Sequence, residues 1–289
     1  MNKQNDSLLN VGQGAITETL RILTNLGVTP ERLARVRSDP AFAKKIAEVF
    51  LGGIKKTQPL HWDKKVKAKY SYPKEYTGPR PIQDQIRDLA KIFNVNSKDA
   101  LTFAKTLPVF PKDAVAEGYF AIINPEYLSS IYSVSVQRML DEVKKLYPSF
   151  HNYREGQIDE KHIRLAQLTK DAYLKLVQEQ KGPIWIIPAN LGALHAGEAP
   201  ILSLEILLEN EFPLDVIAGC SIILTHTTRL VRWEELDMFL PGTEFSYDAD
   251  GVFSKVAYLY FDDVRVGFDA SGAGCRGDSF GVASGFPPQ

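Results

Sequence analysis

Cysteine is scarce in this sequence, which has two among its 289 residues, Cys220 and Cys275. Two cysteines in a chain of this length do not make the disulfide framework of a small secreted domain, and this indicates a reducing compartment. No apolar run approaches the roughly 20 residues that a membrane-spanning helix needs. The first ten residues, MNKQNDSLLN, lack the basic and then apolar pattern of a signal peptide. We therefore expect a cytoplasmic protein without a membrane partner.

Signatures of the common nucleotide and metal enzymes are also missing. The sequence contains no Walker A motif, no His-Glu-x-x-His and no cysteine pair at zinc spacing, so it predicts no metal site and leaves any cofactor unknown. The stretch CRGDSFG (275–281) contains Gly-x-Ser-x-Gly around Ser279 and resembles the nucleophile loop of serine proteases. In α/β-hydrolases the acid and the histidine follow the serine, and neither type follows Ser279. A serine hydrolase is therefore disfavoured.

Charge is balanced overall but unevenly distributed along the chain. The net charge is −1, yet residues from 200 onward hold 5 Lys or Arg against 14 Asp or Glu. Such asymmetry is compatible with an anionic partner for the basic part, with self-association through basic and acidic faces, or with no special role. A structural, self-assembling protein is therefore one of the functions that stay open.

Hydrophobic periodicity and turn residues predict an α+β fold. We expect a helical module of three short helices (1–53), a basic and aromatic linker or arm (54–80), and a body with a mixed sheet, packed helices and C-terminal β-hairpins (81–289). Strands are predicted at 118–123, 184–187 and 216–225, with a hairpin of 252–261 and 264–268. Helices are predicted at 82–93, 124–146, 201–210 and from Asp159 to the stop at Gly182-Pro183. The residues from Ser271 onward are glycine- and serine-rich and are predicted to be loop or tail.

The arm is the main candidate for a binding site. Residues 54–80 hold eight Lys or Arg against two acidic residues, with aromatic residues between them. Lysines contact phosphates and aromatic rings stack on unpaired bases, which makes nucleic acid a candidate partner. The residues expected to bind it are Lys64, Lys65, Lys67, Lys69, Trp62 and Tyr70. The alternative is a solvated lysine-rich arm beside a helical module, and whether that module is a helix-turn-helix stays open.

Two histidines suggest an enzyme instead. His195 and Glu198 lie three residues apart, and His226 follows the strand predicted at 216–225. If residues 191–198 form a loop at the end of the 184–187 strand, His195 and His226 meet at one sheet edge, where open α/β sheets carry their sites. Imidazole and carboxylate groups are catalytic groups and metal ligands. The alternative is that both histidines make local hydrogen bonds.

Several stretches resemble an uncharacterised protein family of uncultured small-genome bacteria. They are EGYFAIINPEY (117–127), NYREGQ (152–157), GPIWIIPANLGALHAGE (182–198), NEFPLDVIAGCSIILTHTTRLV (210–231), FSYDADGVFS (245–254) and FGVASGFPPQ (280–289). The resemblance implies a bacterial cytoplasmic protein whose residues from about 117 to 289 form a recurring domain. It implies no activity and no catalytic residue.

Overall fold

The computed structural model describes residues 66–111, 114–201, 207, 211–262 and 264–287. The helices are α1 (Ile82–Phe93), α2 (Lys98–Phe103), α3 (Pro125–Leu128), α4 (Tyr132–Leu146), α5 (Gln167–Glu179) and α6 (Val216–Thr225). The strands are β1 (Gly118–Ile123), β2 (His151–Asn152), β3 (Ile163–Leu165), β4 (Ile184–Ala196), β5 (Phe212–Pro213), β6 (Met238–Phe245), β7 (Lys255–Asp262), β8 (Arg265–Gly272) and β9 (Gly281–Gly285). The module predicted at 1–53 lies outside these residues. Within them, every helix is too short or too polar to cross a membrane.

The strands form one mixed sheet. Its order is β1-β4-β9-β6-β7-β8-β2, with β3 paired to β6 and β5 paired to β9. Most neighbours are antiparallel, whereas β2 pairs β8 and β6 pairs β9 in parallel. The predicted hairpin is present as β7 and β8, joined in register from Asp262↔Arg265 to Lys255↔Gly272. The predicted α+β class with a mixed sheet is therefore confirmed.

Successive side chains of a strand point to opposite faces of the sheet, and the strands carry an apolar layer on each face. In β6 and β7, Leu240, Ala257 and Leu259 belong to the main core, which packs against the helices. Phe239 and Val256 belong to a smaller cluster. Helix α1 is tied to β1 by the buried amide of Gln85, which accepts from the Ala121 N–H at 2.9 Å and donates to the Tyr119 carbonyl at 3.1 Å.

The prediction of a strand at 216–225 is wrong, since these residues form helix α6. All ten residues of α6 are buried, so the segment has no polar face whose spacing would distinguish a helix from a strand. The Asp215 side chain caps the helix by accepting from the Ala218 N–H at 2.9 Å. A Cβ built on Gly219 would lie 2.7 Å from the Leu240 side chain, so glycine is what lets α6 approach β6.

Two predicted helices differ from the observed ones. The continuous helix over 124–146 is broken into α3 and α4, because Ser129 is extended and ends α3. The helix predicted from Asp159 starts only at Gln167, after strand β3. At Asp159, the carboxylate accepts from the backbone N–H of Lys161 at 2.8 Å and stabilises a turn instead. The predicted helix at 201–210 falls largely outside the described residues.

The glycine-rich C-terminal segment is not a tail throughout. Strand β9 lies between β4 and β6 inside the sheet, and all five of its residues are buried. Small residues are required there, since a Cβ on Gly281 would lie 2.7 Å from Leu236. The loop predicted at 191–198 is also largely strand, because β4 continues to Ala196.

Candidate functional site

A cavity of about 390 Å³ opens between the α3–α4 corner and helix α5. Three aromatic residues from different elements line it, namely Tyr132 at the start of α4, Tyr173 in α5 and Trp185 in β4. The other lining residues are Asn124, Pro125, Glu126, Ser129, Ser130, Leu165, Lys170, Leu174 and Val177. A concave, mostly apolar site of this volume with a few polar groups is typical of small-molecule sites.

The two tyrosines are fixed by one buried carboxylate. Oδ1 of Asp215 accepts from the Tyr173 hydroxyl at 2.6 Å, and Oδ2 accepts from the Tyr132 hydroxyl at 3.0 Å. The Tyr132 hydroxyl also lies 2.5 Å from Oγ1 of Thr243. Because both hydroxyls are directed at Asp215, the rings present apolar surface to the cavity.

Asp215 holds this position because it caps helix α6. Burial, the largest influence, raises the pKa of its carboxyl, while hydrogen bonds from Tyr173, the Ala218 N–H and Tyr132 act in the opposite direction. Burial also raises the pKa of both tyrosines, with the Asp215 charge adding to it. The tyrosine hydroxyls therefore stay protonated and keep donating to Asp215 at neutral pH.

The indole nitrogen of Trp185 is itself buried and has no hydrogen-bond partner among the described residues. The residue is 2% exposed, and its ring packs edge-on against Tyr173 with 5.4 Å between centroids. Among the described residues, no acceptor lies within hydrogen-bonding distance of its Nε1–H. Buried polar groups in proteins are nearly always paired, and an unpaired one needs an explanation.

The α3–α4 corner holds the opposite wall. The Asn124 side chain accepts from the Glu126 N–H at 3.0 Å and starts α3, as the Asn-Pro-Glu sequence predicts. After the break at Ser129, the buried Ser135 hydroxyl is 3.0 Å from the Pro125 carbonyl and 3.2 Å from the Ser129 carbonyl. This places the first turn of α4 beside the cavity.

No family model, curated protein or solved structure matches the chain. The resemblance to an uncharacterised bacterial family stays a prediction, and the site is interpreted from its own geometry.

Of the histidines proposed for an enzyme site, His195 lies between two carboxylates. Its Nε2 is 2.8 Å from Glu211 and its Nδ1 is 3.4 Å from Glu198. Burial lowers the pKa of His195, but these carboxylates outweigh it and the pKa is raised. The two carboxylates therefore favour the protonated imidazolium form of His195. A metal binds neutral imidazole, so this environment disfavours a metal at His195. Among the described residues, no group of three or more His, Cys, Asp or Glu could hold a metal.

His226 has different partners. Its Nε2 accepts from the Arg80 N–H at 3.0 Å, and its Nδ1 lies 3.1 Å from the Ile222 carbonyl. Burial lowers its pKa to about 4, so the ring is neutral. In the described structure these contacts attach the segment before α1 to the end of α6.

The described part of the predicted arm lies along the body. Lys69 forms an ion pair with Asp278 at 2.7 Å, and the backbone N–H groups of Lys69 and Tyr70 donate to the Asp278 carbonyl. Lys67 is exposed. Further on, the Tyr72 hydroxyl donates to Glu117 and its ring lies 4.3 Å from the guanidinium of the buried Arg229. Trp62, Lys64 and Lys65 lie outside the described residues.

The serine of the Gly-x-Ser-x-Gly stretch also has a partner. The Ser279 hydroxyl donates to Asp237 at 2.9 Å. Burial, opposed by Ser279 and Arg229, raises the pKa of Asp237 to about 7. In the described chain no histidine contacts either residue, so the arrangement lacks the base that activates a serine nucleophile.

Sequence reasoning missed the cavity residues. Tyr132 and Tyr173 fall within predicted helices and Trp185 within a predicted strand, and no motif marks any of the three. Asp215 offered the one usable signal, since it precedes an apolar run as an N-cap does.

Proposed function

We propose that this protein binds a small, ring-bearing molecule in the cavity between the α3–α4 corner and α5. The observation that carries this proposal is the cavity of about 390 Å³ that three aromatic residues, Tyr132, Tyr173 and Trp185, line together with apolar side chains. Concave, mostly apolar sites of this size are typical of small-molecule binding.

The aromatic walls support a ring in particular. Tyr173 and Trp185 meet edge to face at an interplanar angle of 64°, and the Tyr132 ring adds a third side. Offset and edge contacts between rings contribute about 0.5 to 1.5 kcal/mol beyond the area they bury. Because Asp215 fixes both tyrosines, the site is organised before a ligand arrives, which lowers the entropic cost of binding.

Cytoplasmic location belongs to the same proposal. Both cysteines are free, Cys220 buried and Cys275 exposed. Free thiols of both kinds are compatible with a reducing compartment.

Nucleic-acid binding by the basic segment is the alternative, and it stays a prediction, as does self-association. Three stacked aromatic residues on the sheet, Phe239, Tyr258 and Tyr260, add no support to nucleic-acid binding. Tyr258 stacks on Phe239 at 4.7 Å and on Tyr260 at 5.0 Å, so neighbouring rings occupy the faces that a base would need. Steeply salt-dependent binding of labelled oligonucleotides, lost when Lys67 and Lys69 are replaced by alanine, would support this alternative.

Ligand-observed NMR tests the proposed function. Saturation transfer to indole, phenol and quinolin-2-one would be measured with the wild-type protein and with Val177→Trp. Val177 is partly exposed and lines the cavity, so a larger side chain there should fill the opening without disturbing the core. We expect transfer to at least one ring compound with the wild type and a loss of transfer with Val177→Trp.

The matched control is Leu168→Trp, on the same helix and outside the cavity lining. It adds the same ring to α5 at an exposed position and should leave the transfer unchanged. Equal transfer with both variants would place binding elsewhere, and no transfer with the wild type would contradict the proposal.

A further inference from the structure

We infer that His195 is a pH-sensitive latch for the cavity. Its protonated ring holds Glu211, the residue before β5. Loss of the proton releases the segment 211–215, which supports the aromatic residues of the cavity, and so weakens ring binding. This inference rests on the proposed function and names a means of regulating the same site.

His195 lies in a buried ion triad at the end of β4. Its Nε2 is 2.8 Å from Oε1 of Glu211, and its Nδ1 is 3.4 Å from Oε2 of Glu198. Ionised carboxylates only accept hydrogen bonds, and a neutral imidazole has a single N–H. A neutral ring can therefore serve one of the two carboxylates, whereas the imidazolium donates to both. The second proton of His195 is what holds Glu198 and Glu211 to the same ring.

The strand beside His195 brings no charge to the triad. His195 lies opposite Val282 of β9, and the five residues of β9 are uncharged. Asp237, just before β6, accepts from Ser279 instead. Burial lowers the pKa of His195, and the carboxylates on either side of its ring raise it by more. The proton is therefore lost above the ordinary histidine value of about 6.5.

The segment 211–215 connects the triad to helix α5, which forms one wall of the cavity. Next to Glu211, the Phe212 ring packs edge-on against Tyr173, with 6.2 Å between centroids. The carbonyl of Pro213 accepts from the buried Thr169 hydroxyl of α5 at 2.7 Å. A movement of this segment is therefore transmitted to α5 and to the Tyr173 ring.

The same segment ends at the carboxylate that fixes the cavity. Asp215 accepts from the hydroxyls of Tyr173 and Tyr132 and lies four residues after Glu211. Coupling between two sites requires an element with two arrangements, and here the segment is either held by His195 or released. Ring binding should therefore be tightest while His195 is protonated and should decline as the pH rises through its folded pKa.

The affinity for an uncharged ring compound, measured against pH, tests this inference. Quinolin-2-one would be titrated into the full chain by calorimetry between about pH 6 and about pH 9, on either side of the ordinary histidine pKa. The chain has five histidines, and NMR of a histidine-labelled sample follows their rings, with His195→Gln identifying the signal of interest. We expect the affinity to fall at least about fivefold, the lower end of typical couplings between sites. Its midpoint should coincide with that of the His195 titration.

Matched variants separate the latch from other groups. His195→Gln should bind the ring with a constant affinity, close to that of the wild type at high pH. Glu198→Gln keeps the histidine and removes one carboxylate, so both midpoints should move to lower pH, and this shift decides the matter if His195→Gln does not fold. His162→Gln removes a different histidine–carboxylate pair, with Asp159, and Asp237→Asn removes a carboxyl whose pKa is about 7. Both should leave the midpoint unchanged.

The outcomes also distinguish this inference from the function on which it rests. A constant affinity across the His195 titration would overturn the latch and leave ring binding standing. A pH dependence that His195→Gln keeps and Asp237→Asn loses would overturn it in favour of Asp237. Failure of quinolin-2-one to bind at any pH would count against the proposed function. The Leu214 amide, which donates to the Ala283 carbonyl at 3.1 Å, would then decide the latch, because its signal should move at the His195 midpoint and an unmoved signal would overturn it.

Discussion

The hydroxyl of Tyr173 lies 2.6 Å from Oδ1 of Asp215. This contact joins the middle of α5 to the residue that caps α6, and the other carboxylate oxygen of Asp215 holds Tyr132 at the start of α4. Three helices are thus connected through one carboxylate that has no exposed surface. The connection holds two aromatic residues that line the cavity, so the stability of the fold and the shape of the site depend on the same residue.

Replacing Asp215 with asparagine should destabilise the protein by about 2 to 3 kcal/mol, because an amide nitrogen would face a tyrosine hydroxyl or the Ala218 N–H in place of an acceptor. Urea unfolding measures this change. Asp248→Asn, at an exposed position, is the control and should stay within about 0.5 kcal/mol of wild type. A similarly small change for Asp215→Asn would show that the carboxylate does not hold the three helices.

The corner between α3 and α4 should depend on Ser135. Ser135→Ala removes a buried hydroxyl that lies within hydrogen-bonding distance of two carbonyl groups, and we expect a loss of about 1 to 2 kcal/mol in unfolding free energy. The first turn of α4 should also become less protected from amide hydrogen exchange, while α1 should not change. Loss of protection throughout the protein, or in neither helix, would contradict a local role for this hydroxyl.

His226 should make the protein less stable in acid. Its folded pKa of about 4 lies below the value of about 6.5 for an unfolded histidine, so the unfolded state binds more protons between these values. Its contribution is complete above about pH 6.5 and is lost as the pH falls, by about 3 kcal/mol at pH 4. His226→Gln, which can still accept from the Arg80 N–H, should remove this slope. Parallel urea-unfolding curves against pH for variant and wild type would contradict the assignment.

Asp237 should make the protein less stable as the pH rises, opposite to the effect of His226. Its folded pKa of about 7 lies above the usual value of 3.8, so its contribution is present at low pH and is lost as the pH rises towards 7. Asp237→Asn keeps an acceptor for Ser279 and removes the charge. The variant should therefore gain about 2 to 3 kcal/mol relative to wild type between about pH 5 and about pH 8. A constant difference between the two proteins over this range would show that Asp237 does not titrate there.

The sequence predicted elements of two kinds, namely those whose residues differ between a buried and an exposed face and the short apolar runs of β1 and β4. Helix α1 follows from the spacing of Ile82, Ile86, Leu89 and Phe93, and β7 and β8 follow from two runs separated by Asp262 and Asp263. Residues 118–123, 184–187 and 216–225 are all apolar runs without a polar face, and treating them alike as strands is right for β1 and β4 and wrong for α6. Strand β9 was missed because its glycine and serine residues are typical of a loop.

The candidate site was beyond prediction for a related reason. Tyr132, Tyr173 and Trp185 come from three different elements, and each resembles an ordinary core aromatic residue in its own segment. At the break between α3 and α4 the Ser135 hydroxyl contacts the Pro125 carbonyl of the preceding turn. The apolar spacing continues through this break, so the sequence does not indicate it. His195 and His226 each contact residues distant in sequence, Glu211 and Arg80 respectively, and an enzyme site near them stays a prediction.

The environment of the Trp185 indole N–H tests the proposed site most directly. The chain has three tryptophans, so a ¹⁵N-labelled sample gives three indole signals, and Trp185→Phe identifies the one of interest. We predict that titration with quinolin-2-one moves this signal, because the ring of a ligand bound in the cavity lies beside the Trp185 indole that lines it. Binding of the probe with the Trp185 signal unchanged, or binding of equal strength to Trp185→Phe, would contradict the assignment of this cavity as the ligand site.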